Sequence, residues 1–337
     1  MLKSTEFCGK YLFGETGLES VITRQPLGKE SGVKKNKSSI TSTKNKNSLQ
    51  YHAMVFPGMV FLIIFGYLPM FGLIMAFQDF VPAKGLLGSE FVGLKHFTYM
   101  FTLPDIGRVI RNTLIIALGK IILGMILSIA FSILLNEIRM KFLKKTVQTI
   151  VYLPHFLSWV VLAAVAMNLF NIDGSVNQII ASLGFEKINF LGSNNVFRKL
   201  LIGTDVWKEF GYNSVVYLAA ITGIDAGLHE AAAIDGASWW KRVWHITIPG
   251  MLPIILLMTA MNLTTVLSAG FDQIYNLYSP IVYEVSDVLD TYIYRIGLVG
   301  RQYSFGAAVG LCRSIVALIM LVGANKITEK LTNQRIY

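Results

Sequence analysis

Residues 223–253 read GIDAGLHEAAAIDGASWWKRVWHITIPGMLP, and this stretch separates two apolar runs with something more elaborate than a turn. Asp225 can cap a short helix through Glu230, Ala231, Ala232 and Ala233, because a carboxylate accepts the free first-turn amides and alanine favours helix most. Alanines also keep the helix surface low. Gly236 then permits a sharp change of direction. Ser238 is placed to cap a second helix carrying Trp239, Trp240, Lys241, Arg242 and Trp244, which Pro249 and Pro253 separate from the next apolar run. The pattern predicts an elbow of two short helices over 223–250. A protruding, low-bulk helix bearing the Glu230 carboxylate suits insertion into the cleft of a partner.

Outward from the elbow, the chain is built for lipid. Of its 337 residues, 53% are hydrophobic and only 15% are charged, against about 25% charged in soluble domains. Six stretches reach the roughly 20 apolar residues that a membrane-crossing helix needs: those near 53–77, 113–135, 147–170, 203–222, 251–271 and 305–325. The expected fold is therefore an all-α membrane protein with six transmembrane helices, over residues 53–325. Residues 1–52 precede them as a basic tail, and residues 326–337 follow as a shorter one. Within the first tail, 31–50 is Lys/Ser/Asn-rich with almost nothing to bury, so it reads as disordered, its charge suited to anionic lipid headgroups.

Loop charge sets the orientation, since Lys and Arg collect on the cytoplasmic side. With the N-terminus inside, inner segments hold 18 Lys and Arg and the outer segments 78–112, 171–202 and 272–304 hold 9. This places both termini and the elbow in the cytoplasm of a multi-pass cell-membrane protein. Enzyme chemistry is not legible. Cys8 and Cys312 are the two cysteines, His229-Glu230 lacks the second histidine of a zinc-protease helix because Ala233 stands there, and no glycine-lysine pair continues into a Walker A Ser or Thr. If ATP drives this protein, another chain binds it.

The elbow also resembles a known family, the permeases of binding-protein-dependent ABC importers of the sugar type. Their signature is Glu-Ala-Ala, two residues, Asp-Gly-Ala, then an apolar stretch ending Ile-x-Leu-Pro. This chain matches at Glu230, Ala231, Ala232, Asp235, Gly236, Ala237, Ile246 and Pro249, with Ile248 in place of the leucine. The resemblance implies the type I importer permease fold and makes Glu230 to Ala237 the coupling helix that docks on an ATPase subunit. Ala226 stands where the family often has proline, and His229 where it commonly has tyrosine. RNTL (111–114), YLPHFLSWVV (152–161) and GFDQIYNLYSPIVYEVSDVLDTYIYRIGL (270–298) are similar to permeases for alginate, rhamnogalacturonan and aldouronate. The implied partners are a second homologous permease, two ATP-binding subunits holding ATP and Mg, an extracytoplasmic solute-binding protein and a saccharide. The chain itself is expected to bind no cofactor, metal or nucleic acid.

Polar residues inside the spans point to a path for the solute. Lys120 lies eight residues into the second span, about 12 Å deep at 1.5 Å per residue, and shares a helical face with Thr113, Ala117, Gly124, Ser128 and Ser132, away from Ile115, Ile122, Ile126, Ile129 and Ile133. Arg313 lies near Gly306, Gly310, Ser314 and Ala317; the fifth span offers Asn262, Thr265, Ala269, Asp272 and Asn276 on one side, and the fourth offers Asn213 and Tyr217. Amides, hydroxyls and aromatic rings match the hydroxyls and apolar faces of sugars. Structural readings stand beside this one: Lys120 and Arg313 paired with Asp272, Asp205 or Glu209, the Gly306/Gly310 face as helix packing, the three tryptophans as interfacial anchors, and His155 after Pro154 as a packing residue. Fixed cations favour an acidic oligosaccharide, whereas neutralised ones leave a neutral one. An ion-coupled transporter is the remaining alternative, though such proteins commonly carry inverted repeats and no repeat is visible.

Overall fold

The computed structural model describes residues 38–332. The chain divides between Ile63 and Ile64 into two compact units. The first holds α1 (Ser38–Leu62), which corrects the expectation of disorder over 31–50 for its described part: Ser38 onward is helical, as elongation costs little beside an apolar helix already nucleated. The remainder of the basic tail, with Cys8, lies outside the described residues. A 3-10 turn, Leu68–Phe77, precedes a two-residue antiparallel ribbon, β1 (Gln78–Asp79) with β2 (Glu90–Phe91), in register Gln78 to Phe91 and Asp79 to Glu90. The short α2 (Gly85–Gly88) lies between these strands, and α3 (Lys95–Thr102) follows them.

Long helices build the rest. Pro104 occupies the first turn of α4 (Pro104–Glu137), where its missing N–H is no loss. One face of α4 buries Thr113, Ala117, Lys120, Ser128 and Ser132, while Ile115, Ile122 and Ile126 are exposed as the pattern requires; Ile133 departs from it and is buried. α5 (Lys141–Tyr152) is separated from α6 (Trp159–Phe170) by a 3-10 turn at Pro154, and Ser158 Oγ accepts from Val161 N at 3.4 Å to start α6. The stretch 147–170 is thus not one helix. α7 (Ser175–Ser182) follows, then α8 (Asn194–Thr222), whose most extensive neighbour is α4.

Five stretches are long and apolar enough to cross a membrane: Gln50–Phe77, Pro104–Glu137, Trp159–Ser182, Trp239–Thr264 and Tyr303–Gly323. The sixth expected stretch, 203–222, lies on α8, about 43 Å long at 1.5 Å per residue. This helix carries Arg198, Lys199, Asp205, Lys208 and Glu209, and that charge takes it out of the apolar set.

After α8 come α9 (Ala226–Ile234), α10 (Trp239–Arg242) and α11 (Ile248–Thr264). The predicted fifth span, 251–271, ends early, because the helix stops at Thr264 and restarts as α12 (Phe271–Leu277) after Gly270, whose φ of 92° favours glycine. Two single-turn helices, α13 (Tyr283–Ser286) and α14 (Leu289–Tyr292), lead towards α15 (Tyr303–Thr332). Helix continues from 326 through Thr332, beyond which residues are not among those described. Gly306 packs against Gly297, where an added Cβ meets the facing Cα at 2.7 Å, while Gly310 faces open space. The larger core gathers Ile116, Phe197, Leu201, Ile274 and Tyr292, and a smaller one under the elbow gathers Ile133, Tyr217, Ile221, Val243 and Met251.

Candidate functional site

The first helix of the expected elbow forms as α9. Asp225 Oδ1 accepts from Gly227 N at 2.9 Å, capping α9. Ala237 N donates to Ala232 O at 2.9 Å and Gly236 N to Ala233 O at 3.1 Å, closing the helix through Gly236 at φ 77°. No residue of α9 is buried. Glu230, Ala231, Asp235 and Gly236 are exposed, Ala232 and Ala237 are half-buried, and Ile234 stands 87% exposed at the tip. The result is a bare alanine ridge ending in an uncovered isoleucine.

Beyond Gly236 the structure corrects two expectations. Ser238 precedes α10, but its side chain makes no cap. Pro249 and Pro253 do not separate α10 from the span either: Trp239–Thr264 runs as one helical stretch through a widened turn at Val243–Thr247, with Pro249 in the first turn of α11, a position that tolerates proline. The second arm of the elbow is therefore the start of the membrane helix. Trp240 and Trp244 are exposed, whereas Trp239 stacks edge-on against Trp240 at 4.5 Å. A cleft of about 210 Å³ under the elbow is lined by Asn136, Glu137, Arg139, His229, Trp239 and Arg242, which gives His229 a location the motif did not. Trp239 Nε1 and Arg242 Nε are buried there without an acceptor among the described residues.

The interior polar residues divide into two groups. Lys120, Asn213, Tyr217 and Asn262 line one cleft of about 200 Å³, together with Ser128, Asp205 and Glu209. Thr265, Asp272 and Arg313 are not in it. The expected stripe on the fifth span is cut by the break at 265–270, which leaves Thr265 and Asp272 exposed. Thr265 Oγ1 bonds back to Asn262 O at 3.0 Å, and Asp272 O accepts from Asn276 Nδ2 at 2.7 Å.

Both deep cations are engaged. Lys120 Nζ lies 3.1 Å from Asp205 Oδ1, donates to Ala269 O at 2.7 Å, and donates to Gln273 Oε1. Arg313 pairs with Asp290 at 2.7 Å and donates to Ser268 Oγ; its partner is thus none of Asp272, Asp205 or Glu209. From opposite helices these two cations grip adjacent residues of the same helix break. Lys208 bonds Glu209 at 2.8 Å and His155 O at 2.8 Å, while the His155 ring contacts Glu209 at 2.7 Å and stacks on Tyr212 at 3.9 Å. His155 is a packing residue held by a carboxylate.

Gln273 is the interior residue that sequence reading missed. Fully buried, it accepts from Lys120 and donates to Leu201 O at 2.7 Å and Thr204 Oγ1 at 2.8 Å. Its signal was present at Gly270, since a glycine before Phe271-Asp272-Gln273 resets the helical phase that an uninterrupted helix assigns to Asp272. With the charges paired, the cleft keeps the amides of Asn213 and Asn262 and the hydroxyl of Tyr217, none with a side-chain partner among the described residues. That wall can trade hydrogen bonds with hydroxyl groups.

Residues 121–331 match the family described as binding-protein-dependent transport system inner membrane component. The polygalacturonan/rhamnogalacturonan transport system permease protein YteP of Bacillus subtilis (strain 168) is 39% identical over 287 residues, 85% of this chain and 89% of that protein. A chain in the crystal structure of a bacterial ABC transporter involved in import of the acidic polysaccharide alginate aligns with TM-score 0.79 and 36% identity, over 87% of this chain and 99% of that one. The same score, with 35% identity over 88% and 99%, relates this chain to a bacterial alginate ABC transporter in complex with an alginate pentasaccharide-bound periplasmic protein.

Proposed function

Because the chain belongs to the family of binding-protein-dependent transport system inner membrane components, we propose that it is the permease subunit forming half of an ATP-driven uptake path for acidic oligo- or polysaccharides. The observation that carries this reading is the interior cleft, where Asn213, Asn262 and Tyr217 offer unengaged amides and a hydroxyl beside charges already neutralised. Hydroxyl-rich cargo exchanges water for such groups at little cost. The acidic preference is supported by the relatives that carry polygalacturonan, rhamnogalacturonan and alginate.

The rest of the assembly follows the family. A second homologous permease supplies the other half of the path, two ATP-binding subunits hold ATP and Mg, and an extracytoplasmic solute-binding protein delivers the saccharide. The bias of Lys and Arg places both termini and α9 in the cytoplasm, where Glu230, Ala231, Ala232, Asp235, Gly236 and Ala237 dock on the ATPase. Closure of the ATPase pair then moves α9, and the cleft alternates between its two sides.

A neutral oligosaccharide is the second reading, favoured by one observation: Lys120 is matched by Asp205, so the cleft presents no spare cation. Competition separates the two. Uptake of labelled tetragalacturonate should be blocked by unlabelled acidic tetramer and little affected by a neutral tetramer of equal length. Equal competition by both overturns the acidic preference, and no saccharide uptake at all overturns the transport reading.

A further inference from the structure

A further cavity is remote from both regions above. It measures about 460 Å³ and lies between the β1–α3 segment and the turn that leads into α15, a volume within the usual range of small-molecule sites. Its two walls are tied together, since Phe80 N donates to Ser304 Oγ at 2.8 Å and the Phe80 ring meets Tyr303 edge-on at 6.1 Å. Tyr99 adds a half-exposed aromatic face beside Phe305, at 5.6 Å. By the loop-charge bias, both walls lie on the outer side of the membrane.

Its charges are unequal. Asp79 is fully committed, to Lys95 at 2.6 Å and to His96 at 3.0 Å, and the hydrogen bond from Lys95 holds its carboxyl below the ordinary range. That leaves Arg301. Its guanidinium is exposed and has no ion pair or side-chain hydrogen bond among the described residues. Its backbone, at φ 55°, is the one non-glycine in the left-handed region among the described residues, and a bulky residue is held there only when its surroundings demand it. An unengaged guanidinium beside aromatic faces matches a ligand with a carboxylate on an otherwise apolar-faced ring.

We propose that this cavity is an outer subsite for acidic sugar units, with Arg301 pairing their carboxylate and Tyr99 and Tyr303 lying against the ring, occupied before the saccharide reaches the interior cleft. It rests on the reading of the chain as an acidic-saccharide permease. A folded pocket with one spare cation favours a small anionic ring over a protein surface, which needs a broader contact.

The test uses the complete transporter in lipid nanodiscs without its solute-binding protein, titrated calorimetrically with tetragalacturonate and with its methyl-esterified, neutral form. Arg301→Gly removes the guanidinium and relieves the backbone, so loss of binding is not loss of fold; Arg301→Lys keeps the charge without the fork. The expected result is binding of the acidic tetramer, weakened roughly tenfold to hundredfold by Arg301→Gly, the worth of a hydrogen bond to a charged group, and less by Arg301→Lys. The ester should bind as weakly to the wild type as the acid does to Arg301→Gly. Unchanged acid binding by Arg301→Gly overturns the subsite. Uptake by the wild type separates the two levels: uptake without direct binding sinks only the subsite, and no acidic uptake sinks the transport reading beneath it.

Discussion

Replacing Lys120 with methionine tests whether that cation serves the cargo or the fold. The Lys120 side chain is 8% exposed, and its ammonium holds Asp205 at 3.1 Å, Ala269 O at 2.7 Å and Gln273 Oε1. Methionine fills the volume but strands a partly buried carboxylate and two acceptors. Breaking a buried pair from one side costs about 3–5 kcal/mol, and Asp205, with its side chain 21% exposed, places the cost towards the lower end. A second substitution, Asp205→Asn, removes the stranded charge and should restore a large part of the loss, because residues in one network are coupled by about 0.5–3 kcal/mol. Thermal unfolding of the purified transporter in nanodiscs, read for wild type, both single variants and the double variant, measures that coupling. Uptake of acidic and neutral tetramers by the same four proteins shows whether selectivity moves with stability. A Lys120→Met transporter that assembles and melts like the wild type yet loses only acidic uptake would refute the structural role.

Three further outcomes are expected. Gly236→Val forces a β-branched residue to φ 77°, a strain of about 1–2 kcal/mol or more; it and Glu230→Lys should leave the chain inserted while co-purification with the ATPase and transport both fall, and normal levels of both would remove the coupling role. With Cys8 and Cys312 replaced, single cysteines at Ser42 and Ser193 should react with an impermeant thiol reagent from opposite sides of the membrane; reaction of both from one side sinks the orientation. Gly306→Val drives a side chain into Gly297 and should cost about 1–3 kcal/mol as overpacking, while Gly310→Val, facing open space, should melt as the wild type does.

The elbow was legible because its information is local: Asp225, the alanine run and Gly236 each act within four residues of themselves, and cap, helix and turn appear where they predict. The buried face of α4 was legible for the same reason, since a period of 3.6 needs no knowledge of the neighbour. Breaks were harder. Pro154 and Gly270 interrupt stretches whose apolar character is continuous, and hydropathy summed over 20 residues averages across them. The partner of Arg313 was missed because Asp290 sits in a coil of single-turn helices, and only the tertiary path of 278–302 brings it back. Helix α8 shows the opposite error of scale: its charges fail an apolarity measure, yet Asp205 and Glu209 are answered by Lys120 and Lys208 from within the protein.

Those pairings bear on how the machine senses the electric field across its membrane. Lys120 with Asp205, Lys208 with Glu209 and Arg313 with Asp290 are each an ion pair with no net charge. A lone charge crossing the bilayer feels about 2.3 kcal/mol per 100 mV, but a pair displaced together does almost no electrical work. These three pairs should therefore add little voltage dependence to transport. Voltage dependence beyond what these pairs add then reflects the remaining charges, the carboxylates of an acidic cargo among them.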